Sequence, residues 1–205
     1  GLNCCDMRHE PARVSKNEGN VVMTGLFDEV KKHADTDSAE FWAAAAEDVS
    51  WIKPATTILD DAKPPFYRWF VGGEINGCYN AVDCHVEAGH GDRTAIIYDS
   101  AIIGVKEYIS YAELQDWVAR CADVLLQNGI TYGDRVIIYM PMIPQALVAM
   151  LACARIGAVH SVVFGGFAAA ELAKRIDDAT PKMIITASCG LEPGLSLIHI
   201  SEPTR

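Results

Sequence analysis

Two short segments place residue types where a ligand could meet the chain. Phe164-Gly165-Gly166-Phe167 follows an apolar run, Val159–Phe164, and precedes a helical pattern. Glycines there let a ligand approach the backbone, and a helix N-terminus beyond them favours an anion. The same two glycines also suit a plain tight turn, and both readings stand on pattern alone. Ser188-Cys189-Gly190-Leu191-Glu192-Pro193-Gly194 follows the next apolar run and reads as a second loop. No G-x-G-x-x-G occurs, so a dinucleotide site lacks its fingerprint, and no G-x-x-x-x-G-K-[ST] marks a P-loop. Cys189 has no histidine partner in the pattern, so an inert thiol is expected. Cys84 and His85 are adjacent, with His90 nearby, but the second half of a zinc ligand set is missing. His160 opens an apolar strand and is expected as a satisfied core histidine. Asp177 and Asp178 read as solvated helix-end residues. No catalytic, ATP-binding or metal-binding residue is assigned.

The elements that would position these segments are legible from periodicity. Asp37-Ser38-Ala39-Glu40 reads as a capping box ahead of an Ala-rich helix through Phe41–Ala46. Pro54, Pro64 and Pro65 break regular structure, and the aromatic-rich stretch that follows is expected to dock on a core. Thr94–Tyr98 and Tyr108-Ile109 read as strands. Ser110-Tyr111-Ala112-Glu113 is a second capping box. The helix behind it places Leu114, Trp117, Val118, Cys121, Val124 and Leu125 on one face, and Gly129 fits its C-terminal cap. Arg135–Met140 is a continuous apolar strand, as parallel sheets require. Pro144 opens a helix that is apolar nearly all round. Val159–Phe164 is a strand, Ala168–Asp178 a helix with Leu172, Ala173 and Ile176 inward, and Lys182–Ala187 a strand. This alternation predicts a doubly wound α/β sheet, whose ligands bind beyond the carboxyl ends of its strands.

Composition bounds the rest. The chain has 205 residues, half of them apolar, and a net charge of −10. That is enough apolar surface for a core. The acidity speaks against nucleic acid, which rewards basic surfaces. No run of about 18 apolar residues exists to span a membrane. The seven cysteines are odd in number and form no CxxC pair, so a reducing compartment is expected. The first residue is Gly1, so a longer reading frame is expected, with Met7 and Met23 as possible starts. Residues 1–20 show neither a signal-peptide core nor a transit-peptide composition. Leu195–Arg205, LSLIHISEPTR, resembles the translation of a transposase adapter used in sequencing libraries. It is set aside from fold reasoning, the alternative being a genuine apolar segment ending in a turn at Pro203.

Two blocks carry a family resemblance. PPFYRWFVGGEINGCYNAVDCHV and GDRVIIYMPMIPQALVAMLACARIGAVHSVVFGGFAAAELAKRIDDATPKMIITAS together resemble the N-terminal part of a short-chain acyl-CoA synthetase. That is the acetate/propionate branch of the AMP-forming, adenylating ligases. The resemblance runs from about Phe41 to Gly194. Residues 1–27 read as an unpatterned segment, and the resemblance implies that 28–92 form a helical or irregular N-terminal region. Residues 93–194 then begin the doubly wound AMP-binding domain, and 195–205 are the adapter-like tail. It implies ATP, Mg2+ and coenzyme A as co-substrates, propionate or acetate as the acid, and no nucleic-acid or membrane partner. The mitochondrial matrix and the cytoplasm both fit. The family's phosphate loop, acyl pocket, ribose-binding acid and C-terminal lysine lie beyond residue 194, so no position here inherits those roles and the chain alone is expected to be inactive.

One functional element is implied within the chain. Phe164, Gly165, Gly166, Glu192 and Gly194 correspond to the family's coenzyme A-binding positions. Glu192 stands near where the acetate branch has arginine, and an acid does not hold a phosphate. The G-x-E-P-G pattern, with Ile96–Ser100 (IIYDS), resembles the propionate branch, which makes propionate the preferred acid. The alternatives are an acetate–CoA ligase and a truncated, non-catalytic binding module.

Overall fold

The computed structural model describes residues 15–17, 20–22, 26–166, 168–192 and 195–198. The chain divides into two compact units, Gly1–Ile75 and Asn76–Arg205.

The first unit starts with a short antiparallel hairpin, β1 (Ser15–Asn17) and β2 (Asn20–Val22), in a stretch where the sequence shows no pattern. Helices α1 (Leu26–Thr36) and α2 (Ser38–Ala46) follow. Asp37 caps α2 by accepting from the Glu40 N–H at 2.9 Å, the forward half of the expected box. The region expected to be helical or irregular also holds two antiparallel strand pairs. β3 (Trp51–Lys53) pairs with β6 (Glu74–Ile75), and β4 (Thr57–Asp60) pairs with β5 (Arg68–Val71). A run of edge and tilted ring contacts joins them: Phe41–Trp42, Trp42–Trp69, Trp69–Phe70 and Phe70–Trp51, at 5.2 to 6.3 Å between centroids. Gly73 lies so close that a Cβ there would fall 2.5 Å from the Trp51 ring. The expectation that this stretch docks on a core is not met by Phe66, which is 80% exposed, or by Tyr67, and Phe70 is half-buried against the Trp51 and Trp69 rings.

In the second unit, two π-helical turns, Tyr79–Asp83 and Val86–His90, lead to the antiparallel hairpin β7 (Thr94–Ser100) and β8 (Val105–Ser110). Helix α3 (Tyr111–Gln127) opens on a complete capping box. The Glu113 N–H donates to Ser110 Oγ at 3.2 Å, and the Ser110 N–H donates to the Glu113 carboxylate at 2.8 Å. Gly129 closes it in the left-handed region, with Ile130 N–H bonded to Leu125 O. The buried stripe is Leu114, Val118, Ala122 and Leu125. Val124, expected inside, is exposed because the stripe continues through Ala122 and leaves 124 on its flank.

The sheet that follows is parallel. Strand β9 (Arg135–Met140) lies between β10 (Val159–Phe164) and β11 (Met183–Thr186). Helix α4 (Pro144–Ile156) links β9 to β10, and α5 (Ala169–Ala179) links β10 to β11. Alternate β9 residues part to opposite faces. Val136 packs with α3 and α4 through Val118, Val148, Ala152 and Cys153. Ile137 and Tyr139 pack with Val163 and with Leu172, Ile176 and Ala179 of α5. Helices therefore cover both faces, as the doubly wound expectation requires. Ala173, expected inward, is exposed, and Ala179 packs in its place. Beyond β11, Cys189–Glu192 is not the expected loop. It forms β12, paired antiparallel with β13 (Leu195–Ile198). Apolar residues alternate with period two at Cys189/Leu191 and Leu195/Leu197, and the turn dipeptide Pro193-Gly194 separates the two runs.

Candidate functional site

Both ends of the parallel sheet carry polar residues, but they do different things. At the amino edge, Lys182 donates to the Asp134 carboxylate at 2.8 Å and to Gly129 O at 2.6 Å. Thr131 adds its N–H and hydroxyl to the same carboxylate. The Lys182 ammonium, helped by Thr131, holds the Asp134 carboxyl down at about 2. Arg135 reaches Ala179 O and both oxygens of Thr180. These bonds clamp the loops before β9 and β11.

A second internal network ties the start of this unit to α3 and α4. Asp83 is 6% exposed and accepts from Arg155 at 2.5 Å and from Gln115 at 2.8 Å. Asn76 donates to Arg155 O and accepts from the Tyr79 N–H. Cys78 is fully buried beside them, and burial pushes its thiol up. Sequence reading missed this network. Its signal was one arginine within the apolar run Leu151-Ala152-Cys153-Ala154-Arg155-Ile156.

The cysteines and histidines read by sequence fall apart as a group. Cys84 donates to Asn80 O at 3.1 Å, and His85 packs against the Tyr111 ring at 5.0 Å. Among the described residues no group of three His, Cys, Asp or Glu side chains could hold a metal ion. His160 is half-buried on edge strand β10, not in the core. Cys153 is pushed up to about 11 by burial. Asp177 and Asp178 are exposed near the end of α5, as expected.

The carboxyl edge is the other end of the sheet. The strands end there at Met140, Phe164 and Thr186. The chain leaves β9 toward β10 on one side and returns to β11 on the other, so the topological switch lies between β9 and β11. Gly165 is half-buried against the exit of β9. A Cβ on it would lie 2.9 Å from Met140 O and 3.0 Å from Pro141 N. A side chain there would have to displace backbone, so glycine is required by the close approach of two turns. Gly166 is exposed. Helix α5 starts at N-cap Ala168 with no side-chain cap, while Glu171 in its first turn pairs with Lys174 and Arg175.

Two of the remaining predicted positions follow β11. Glu192 lies on β12 in register with Leu195. Phe167 and Gly194 lie outside the described residues. β12 pairs with β13 and joins no strand of the parallel sheet. The structure thus brings Gly165 to the end of β9.

This order of elements was compared with known proteins. A family model described as "AMP-binding enzyme" matches residues 84–203. The chain belongs to the AMP-binding enzyme family. A second model, "Acetyl-coenzyme A synthetase N-terminus", matches residues 27–81. The relatives agree with the short-chain acyl-CoA synthetase resemblance read from the sequence. "Acyl-CoA synthetase short-chain family member 3, mitochondrial" of Mus musculus is 52% identical over 180 residues, 86% of this chain and 26% of the relative. The protein of the same name from Rattus norvegicus is 56% identical over 158 residues, 77% of this chain and 23% of the relative. "Acetyl-coenzyme A synthetase" of Mycobacterium bovis is 51% identical over 159 residues, 78% of this chain and 24% of the relative. The chain spans about a quarter of the length of these relatives of the AMP-binding family. Its parallel sheet is the N-terminal part of that family's doubly wound domain.

Proposed function

We propose that this chain is the N-terminal portion of an AMP-forming short-chain acyl-CoA ligase whose acid is propionate. The observation that carries the reading is the identity of more than half over 180 residues to an acyl-CoA synthetase of the short-chain family. In the proposed reaction a propionate oxygen attacks the α-phosphate of ATP, and pyrophosphate leaves. The thiolate of coenzyme A then attacks the acyl carbon, and AMP leaves with the bonding pair. Such chemistry rests on holding reactants in line and on neutralising phosphate charge.

Within the chain, Phe164, Gly165, Gly166, Glu192 and Gly194 are proposed as coenzyme A-binding positions. Gly165 supports this, because its bare backbone lies at the carboxyl edge where open α/β sheets take ligands. Magnesium enters as the counterion of ATP, and no residue of this chain is assigned to it. In the proposed division, residues 28–92 form the N-terminal region and 93–194 begin the AMP-binding domain. The printed names of the mammalian relatives support a mitochondrial location over a cytoplasmic one. No helix of the described residues is long and apolar enough to cross a membrane.

The acetate reading has its own support in the acetyl-coenzyme A synthetase relatives. The two are separated by steady-state turnover of the complete encoded protein with each acid. One methylene is worth about tenfold or more in a fitted pocket, so kcat/KM for propionate is expected to exceed that for acetate by at least about that factor. The reverse preference overturns propionate. Absence of acid-dependent pyrophosphate exchange overturns the ligase itself.

A further inference from the structure

The C-cap of α5 carries a residue type that its backbone does not favour. Thr180 has φ 42° and ψ 58°, in the left-handed region. Glycine or asparagine usually stands there, and a β-branched residue at positive φ is an outlier. Pro181 follows and restricts the preceding backbone further. The hydroxyl accepts from the Arg135 guanidinium at 3.0 Å, a bond that does no more than offset such strain. The Arg135 bond to the Thr180 carbonyl, at 3.2 Å, needs no hydroxyl. Stability alone therefore does not select threonine.

Arg135 is the other half of the arrangement. Arg68, Arg120, Arg155 and Arg175 each pair with a carboxylate. Among the described residues no carboxylate pairs with Arg135, whose donors go to Ala179 O, Thr180 O and the Thr180 hydroxyl. Lys182, two residues on, is paired with Asp134. A planar, charged fork with neutral partners suits bidentate pairing with a phosphate. The oxygen that would carry the phosphate already lies within hydrogen-bond distance of that fork.

We propose that Thr180 is a phosphorylation site, read by a proline-directed kinase through Pro181, whose phosphate pairs with Arg135 and tightens the clamp between α5 and β9. In the kinase the Thr180 oxygen attacks the γ-phosphorus of ATP. The new O–P bond replaces the bond from that phosphorus to the β-bridging oxygen, ADP leaves with the bonding pair, and the hydroxyl proton passes to the kinase. The added phosphate carries a charge of about −1.5 to −2 at pH 7. Asp177, Asp178 and the negative end of α5, which has no basic residue in its last turn, oppose it. Arg135 therefore decides the sign. With the guanidinium present the phosphate gains charge-assisted bonds, and without it only the repulsion remains.

The test treats the complete encoded protein with Mg-ATP and a proline-directed kinase that phosphorylates the free peptide Lys174–Ile184. Peptide mapping by mass spectrometry is expected to find phosphate on Thr180, and none there after Thr180→Ala. The Lys182 N–H donates to Arg135 O at 2.8 Å and so reports on the clamp. Its hydrogen exchange is expected to slow about tenfold on phosphorylation, as one charge-assisted bond implies. In Arg135→Gln the same phosphate should speed that exchange. In Arg135→Lys, which keeps the charge but not the fork, it should slow the exchange less than in wild type. A Thr180 that stays unmodified in the folded protein while the peptide is phosphorylated overturns the site. Phosphorylation that leaves Lys182 exchange unchanged, or that shifts it equally in wild type and both Arg135 variants, overturns the pairing.

Discussion

Single residues in this chain divide into those whose polar atoms are spent on the fold and those left facing outward. Asp83 and Arg155 belong to the first kind. Arg155 is half-buried against the buried Asp83, and Gln115 donates to the same Asp83 Oδ1. Breaking such a pair from one side leaves an uncompensated charge inside, at a cost of about 3–5 kcal/mol. Arg155→Met is therefore expected to lower the denaturant midpoint sharply, whereas Asp83→Leu combined with Arg155→Met should recover part of the loss. Equal losses in the single and double variants would show that the pair's charges are not what matters. The sequence hinted at this pair through a lone arginine in an apolar helix, but its partner lies 72 residues away. Spacing alone does not reveal such a contact.

Elements show how far periodicity carries. Helix α3 was legible because its apolar stripe, its capping box and its closing glycine agree. Its inner face was still misread at Ala122 and Val124, since one small residue decides which way the stripe rotates. The strands of the sheet were legible as apolar runs, but the clamps that fix their amino ends were not. Asp134 is held near 2 against an ordinary value of 3.8. A depressed carboxyl stabilises the fold above its unfolded value and loses that contribution as pH falls through the folded one. The stability gap between wild type and Asp134→Asn should thus be full at pH 6 and shrink between about pH 4 and pH 2. A gap that stays constant down to pH 2 would remove Asp134 from the clamp. The β12 strand marks the opposite failure. Gly190, Pro193 and Gly194 suggest a loop, and a period-two pattern continuing past them made it a hairpin.

Across the whole chain the two units differ in kind. Among the described residues, every buried side chain lies at Cys78 or beyond. The first unit is held by ring contacts, short strand pairs and the bond from the Trp51 indole to Ala46 O. Local stability follows burial and contact density. Hydrogen exchange should therefore find Val136–Tyr139 among the slowest amides and β3 to β6 among the fastest. Comparable protection in both would mean that the ring contacts stabilise as much as the core does. The relatives are more than three times as long, so the same measurement in the complete encoded protein shows which of these amides the rest of such a protein protects.

The sequence by itself determined the family, the parallel α/β alternation and the glycine turn after β10. It did so because apolar periodicity, caps and long specific blocks are local properties of the chain. Tertiary structure decided which face each strand residue takes, why Gly165 admits no side chain, and that Asp83 needs Arg155. Those facts depend on distances between segments that are remote in sequence, and such distances exist only once the sheet has closed around β9.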